Sequence, residues 1–214
     1  MNSVPGKFIT FEGPDGAGKD SVLDAIIPDL RAKMGDKLVV TREPGGDPIA
    51  EQIRDVILDP QNTRMDDRTE ALLYAASRRQ HLQDVIEPAL ARGAVVICDR
   101  FVDSSVAYQG AGRQIGEQEV FALNQFATNG RTPDLTVYLD VPAQVGLDRI
   151  KAHRKDTQYD RLDQEETAFH DRVRAAYLRL AQANPERIVT VDAMQPLAAV
   201  IADVQAVLTE NIPR

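Results

Sequence analysis

The sequence has no tryptophan, a single cysteine, only three histidines and no excess of basic charge. One cysteine excludes an intrachain disulfide, and Cys98 sits in an apolar run, where a free thiol usually serves as a small buried core group. His81, His153 and His170 are scattered without Cys partners or close ligand spacing, so no structural zinc site is indicated. No stretch approaches the roughly 18 apolar residues of a membrane span, and the start MNSVPGKF lacks a basic segment followed by a long apolar run. A cytoplasmic protein without membrane contact is expected. Lys and Arg number 25 against 33 Asp and Glu, and the net charge of −8 argues against a broad nucleic-acid surface. An anionic ligand must therefore meet locally concentrated arginines.

What is present fits one α/β domain spanning residues 1–214, with no repeat and no Gly/Ser-rich linker. Short β-type runs at 8–11, 38–41, 95–98, 135–139 and 188–191 alternate with longer segments of helical period. Asp47 reads as an N-cap before Pro48, with Ile49, Ile53 and Ile57 on one helical face. Segment 67–91 carries Leu72, Leu73, Ala76, Leu82, Ile86 and Leu90 as a second apolar stripe, and 196–208 carries Leu197, Val200, Ile201, Val204 and Leu208 as a third. This alternation predicts a parallel sheet of about five strands with helices on both faces and ligands at the strand carboxyl ends. Pro28 should kink or interrupt the helix expected over 21–34.

After the first strand comes Gly13-Pro14-Asp15-Gly16-Ala17-Gly18-Lys19, followed by a helix. Glycines there let backbone N–H groups curl around phosphate oxygens, the helix N-terminus adds a favourable dipole, and Lys19 reaches the outer phosphates as a point charge. These residues, with Asp20 and Ser21, form the expected ATP site. The motif calls for Ser or Thr after the lysine as a magnesium ligand, and this chain has Asp20. A carboxylate is itself a hard ligand, so Asp20 and Asp99 are the candidate Mg2+ residues. A second cluster begins where the third strand ends: Asp99, Arg100, Phe101, Val102, Asp103, Ser104, Ser105, Val106, Ala107, Tyr108, Gln109 and Gly110. It gathers an acid, a guanidinium, two hydroxyls, an aromatic ring and an amide, enough to address magnesium, a phosphate and a base.

These motifs, with Thr-Arg-Glu-Pro-Gly-Gly at 41–46 and the Leu-Leu-Tyr-Ala-Ala-Ser-Arg helix at 72–78, resemble the thymidylate kinase family of bacterial type from the phosphate loop almost to the C-terminus. The resemblance implies a P-loop nucleoside monophosphate kinase fold, ATP and dTMP as substrates, Mg2+ as cofactor and a homodimer. It implies that Arg42 and Arg100 hold the acceptor phosphate. Tyr74, where many members have Phe, would stack on thymine, and Arg78 would reach a thymine carbonyl. Ser104, Ser105 and Gln109 would complete the acceptor site, with Tyr108 against the sugar. Asp15 would address the sugar hydroxyl or position Arg42. The phosphate loop has no arginine, so a catalytic cation beyond Lys19 and Arg100 is expected from the basic stretch containing Arg149 and Arg154, which resembles a mobile lid over 149–163.

Rivals remain at this level. Another nucleoside monophosphate or deoxynucleoside kinase would share the phosphate loop, although no Glu-Arg-Ser element is present. A GTP-dependent switch would need an Asn-Lys-X-Asp element, which is absent. A catalytically impaired nucleotide-binding protein is the reading that Asp20 allows.

Overall fold

The computed structural model describes residues 6–153 and 165–212. Five parallel strands form one sheet: β1 (Lys7–Glu12), β2 (Leu38–Arg42), β3 (Val95–Asp99), β4 (Leu135–Asp140) and β5 (Ile188–Asp192), in the order β2-β3-β1-β4-β5. Each contains one of the expected runs and extends it by one or two residues. The inner strands β1, β3 and β4 are buried on both faces, which is why they read as nearly continuous apolar runs.

Helices cover both faces: α1 (Lys19–Met34), α2 (Pro48–Leu58), α3 (Asp67–His81), α4 (Glu87–Ala91), α5 (Val102–Ser105), α6 (Glu117–Thr128), α7 (Ala143–His153), α8 (Thr167–Ala183) and α9 (Leu197–Asn211). Successive side chains of a strand point to opposite faces. Ile9 and Phe11 accordingly pack with Val22 and Ile26 of α1 and Val200, Val204 and Leu208 of α9. Phe8, Val96 and Cys98 pack on the other side with Ile86, Ala89 and Phe101. A third cluster sets Tyr138 of β4 against Tyr177 and Val173 of α8.

Parallel register brings the functional strand ends to one edge. Asp99 pairs with Phe11 on one side and Arg42 on the other. The β1–β3–β4 centre is where the chain switches direction across the sheet, the position at which open α/β sheets hold ligands.

Three helix expectations need correction. α1 runs through Pro28, which lies on the exposed face, where water can meet the carbonyl that the ring leaves unpaired. The segment from 67 to 91 is capped by Asp66, whose Oδ1 accepts from Arg68 and Thr69, and is interrupted by a π-helical turn at Leu82–Ile86. Its inward face is also not the apolar stripe: Leu72 is 56% exposed and Ala76 is exposed, while Glu70, Ser77, Arg78 and His81 are buried. That face meets a polar site instead of a hydrophobic core. α2 matches its expected cap, with Asp47 Oδ1 accepting from Ile49 and Ala50, although only Ile57 of its three isoleucines is fully buried.

Candidate active site

A cavity of about 820 Å3 opens at the carboxyl edge of the sheet. Its floor is the part of the phosphate loop from Asp15 to Lys19. Gly16 has φ +74°, and a Cβ there would lie 2.1 Å from the Gly146 carbonyl oxygen; a Cβ on Gly146 would lie 2.3 Å from the Asp15 oxygen. Two glycines thus let the loop and α7 touch backbone to backbone. Gly18, at φ +88°, caps α1 without a side-chain hydrogen bond, leaving the first helical N–H groups directed at the cavity for an anion. Lys19 is buried and donates to Gly13 O at 3.2 Å. Burial, then the Arg100 charge, push its pKa down; Asp99, Asp15 and Asp20 pull it back.

Arg100 stands at the end of β3 with φ +68°, a left-handed backbone that costs a non-glycine residue on the order of 1–3 kcal/mol. The surroundings hold it there. Its guanidinium donates to Asp15 Oδ1 (2.6 Å), Gly13 O (3.1 Å) and Ser104 Oγ (3.0 Å), and lies over the Tyr108 ring at 4.9 Å. Tyr108 donates to the other Asp15 oxygen at 2.7 Å. Burial alone would raise the Asp15 pKa, but Arg100, Lys19 and the Tyr108 hydroxyl outweigh it and hold the carboxyl below its usual range. Beneath Arg100, the fully buried Glu12 accepts from Phe101 N (2.7 Å), Ser104 Oγ (2.6 Å) and Tyr177 O–H (2.9 Å). Burial, followed by the Asp103 charge, pushes Glu12 up to about 7.

Asp99 Oδ1 is buried and accepts no hydrogen bond from the described residues. Burial raises the Asp99 pKa, Lys19 and Arg100 oppose it, and Asp20 and Asp15 add to the rise. A buried carboxylate oxygen without a donor, close to further carboxylates, fits a hard divalent cation. Asp20 and Ser21, exposed on the first turn of α1, line the same cavity.

The far end is built around Arg78, which is 2% exposed. Nε donates to Glu43 Oε2 at 2.7 Å, Nη1 to Ser105 Oγ at 2.9 Å and to Asn124 Oδ1, and Nη2 to Phe101 O at 3.0 Å. A guanidinium has five N–H donors, so one remains, on Nη2. Glu43 is itself anchored: His81 Nδ1 is hydrogen-bonded to its other oxygen at 3.0 Å, and His81 Nε2 is hydrogen-bonded to the Thr41 hydroxyl at 2.6 Å. Contrary to the expectation of scattered histidines, Glu43, His81 and Cys98 offer ligand atoms within 4.8 Å of one another. With both ring nitrogens engaged and the Arg78 cation already on Glu43, we read this group as the support of Arg78. Gln109 lines the cavity beside it and donates from Nε2 to buried Glu70 at 2.8 Å.

The cavity brings together Asp15, Gly16, Ala17, Gly18, Lys19, Asp20, Ser21, Arg42, Tyr74, Arg78, Asp99, Arg100, Ser104, Ser105, Tyr108, Gln109 and Arg149. Gly13 and Pro14 of the expected site do not line the cavity, although the Gly13 carbonyl accepts from Lys19 and Arg100. Arg42 is turned to Glu51 at 3.0 Å, with 47% of its side chain exposed. Arg149 spans from Gly16 O (3.4 Å) to Ala193 O (3.0 Å). Arg154 and most of the expected lid lie outside the described residues. Sequence reasoning missed Arg54, which lines the cavity and donates to Pro44 O, and the 193–197 turn opposite the phosphate loop. It also missed Glu12, Glu43, Glu70, Asn124 and Tyr177, which hold the cavity's side chains from behind.

Comparison with known proteins agrees with this geometry. A family model described as thymidylate kinase matches residues 11–204. The chain is 64% identical to a thymidylate kinase of Latilactobacillus sakei over 96% of its own length and 95% of the relative's, and 64% identical to one of Lacticaseibacillus casei over 98% of both. The crystal structure of thymidylate kinase from Ehrlichia chaffeensis superposes with a TM-score of 0.76 at 33% identity, covering 96% of this chain and 99% of that one. With the phosphate loop, the held arginines and whole-chain likeness in agreement, the chain belongs to the thymidylate kinase family.

Proposed function

We propose that the cavity carries out the reaction for which the family is named, ATP + dTMP to ADP + dTDP, with the base of dTMP at the Arg78 end and the reacting phosphates between Lys19 and Arg100. The observation that carries this reading is one cavity with a phosphate loop at one end and, at the other, a buried guanidinium with a single N–H to spare beside an oriented amide.

The acceptor oxygen of a nucleoside monophosphate is already ionised, so the site needs alignment, charge neutralisation and water exclusion more than a general base. Lys19 and Arg100 neutralise charge on the transferring group, Arg42 and Arg54 supply further positive charge at the acceptor phosphate, and Arg149 braces the donor side. Tyr74 stacks on the base, Ser105 and Gln109 border it, and Tyr108 packs against the sugar, held by Asp15. Asp99 and Asp20 are the residues that would hold Mg2+, which when bound supplies charge neutralisation at the nucleotide phosphates. A single domain completes the reading. No helix among the described residues is long and apolar enough to cross a membrane, and a cytoplasmic site of action is our reading.

A homodimer also belongs to this proposal. α2 packs on α3 and α3 on α6, and these three helices expose Val56, Leu72 and Phe121 at 46%, 56% and 47%. Three large apolar side chains on neighbouring helices are a surface that a second copy would cover. Leu72→Glu should convert a dimer to a monomer by mass in solution at micromolar concentration; a monomeric wild type would refute the dimer.

ADP release from ATP and magnesium tests the activity. Fastest release with dTMP, and little with thymidine or no acceptor, is expected. Preference for a nucleoside, or release independent of any acceptor, would overturn the proposal.

A further inference from the structure

We propose that Glu70, pinned by Arg113, fixes the orientation of the Gln109 amide and so makes the site choose thymine and uracil over cytosine. This rests on the reading that the Arg78 end receives the base. Glu70 is completely buried on α3. Its Oε1 accepts from Gln109 Nε2 at 2.8 Å and from Arg113 Nε at 3.4 Å, and its Oε2 accepts from Arg113 Nη2 at 3.1 Å. Arg113 is held in turn by Glu165 and by the face of the Phe169 ring, 5.1 Å from its centroid.

A carboxylate oxygen facing an N–H group accepts from it, and both Glu70 oxygens face N–H groups of Gln109 or Arg113. Glu70 therefore takes the NH2 side of the Gln109 amide and turns the oxygen away, toward the cavity that Gln109 lines. Gln109 is 1% exposed, too enclosed for solvent to compensate a reversed amide. Beside it, Arg78 retains one N–H. The base thus meets one donor and one acceptor. Thymine and uracil present the complement, a carbonyl oxygen at C4 and an N–H at N3. Cytosine presents the reverse, an amino group and a bare ring nitrogen, so both pairings would set like against like. Glu70 would set this selection without touching the base, as a positioning residue.

Glu70→Gln tests the assignment. Its new NH2 group must take one of the two oxygen positions. At the Oε2 position it would face Arg113 Nη2, donor against donor. The Oε1 position faces Arg113 only through the longer 3.4 Å contact to Nε, against 3.1 Å at Oε2, and an NH2 group there would drive Gln109 to reverse. The ratio of kcat/KM for dTMP to that for dCMP should fall by about tenfold or more, the scale of removing a matched hydrogen bond from a buried site. A merely loosened site would slow both substrates and leave the ratio unchanged, and an unchanged ratio in a folded variant overturns the proposal. Should Glu70→Gln fail to fold, Arg113→Gln is read instead: removing the cation that pins Glu70 should also lower the ratio, and an unchanged ratio again overturns the proposal. A wild type that does not use dTMP would sink the functional reading itself, a failure visible before any variant is made.

Discussion

The two ends of the cavity hold their cations in opposite ways. At the base end Arg78 is buried and four of its five N–H groups are already given to Glu43, Ser105, Asn124 and Phe101 O. At the phosphate end Arg42 is half exposed and leans on Glu51, while Lys19 and Arg54 donate to backbone carbonyls. Reading a base depends on where a single N–H points, so a guanidinium locked before substrate arrives avoids rearrangement on binding. Holding a phosphate whose charge shifts during transfer favours cations whose partners can be exchanged. Arg100 is the exception at the phosphate end, fixed by Asp15 and, through Ser104 and Tyr177, by Glu12.

The contrast can be broken at its strongest point first. Arg78→Met would leave Glu43 as a buried carboxylate with, among the described residues, His81 as its remaining side-chain partner, and loss of one partner of a buried pair costs roughly 3–5 kcal/mol. Denaturant unfolding should show a loss of that order, together with dTMP binding too weak to saturate. A small stability change would mean that the base end is not locked as described.

Glu12 sharpens the exception. Burial makes its charged form costly, so the folded protein holds the proton more tightly than the unfolded chain: up to about 7, from a usual value of 4.5. The stability this proton brings is fully present below pH 4.5 and is lost as pH rises through about 7, a swing on the order of 3 kcal/mol over the whole window. Glu12→Gln carries no such charge. Its melting temperature relative to wild type should therefore improve between pH 5 and pH 8. A difference that stays flat across that range would contradict the account.

At the loose end the effect should be smallest. Arg42→Gln breaks a pair in which the Arg42 side chain is 47% and the Glu51 side chain 38% exposed, worth about 0–1 kcal/mol, so the melting temperature should barely move. KM for dTMP should rise about tenfold, the scale of removing one charge-assisted hydrogen bond to the phosphate. A variant that loses stability but keeps its KM would place Arg42 in the wrong class.

The sequence made one layer of this site legible. Five apolar runs marked the strands, the glycines before Lys19 marked the phosphate loop, and Asp47-Pro48 marked the start of α2, because each is a local pattern of a few residues. The supporting layer was not legible. Glu43, Glu70 and Asn124 lie 35, 39 and 46 positions from the side chains they hold, and Glu12 lies 165 from Tyr177, separations that no spacing rule reaches. Helix α3 misled for a related reason. An amphipathic reading turns its leucines inward, but the helix backs a polar pocket, so Arg78 and Glu70 are buried and Leu72 faces out. Only an acid or amide at a helical position that the apolar pattern assigns to the core could have signalled this, and Glu70 next to Ala71 is such a case.

The most direct test of the central contrast is a crystal structure of the chain with dTMP bound. The account predicts that Arg78 keeps its 2.7 Å hydrogen bond to Glu43 and Gln109 its 2.8 Å hydrogen bond to Glu70, while Arg42 leaves Glu51, now 3.0 Å away, for the phosphate. If instead Arg78 detaches from Glu43 to reach the base while Arg42 stays on Glu51, the assignment of a fixed base end and an exchangeable phosphate end is wrong.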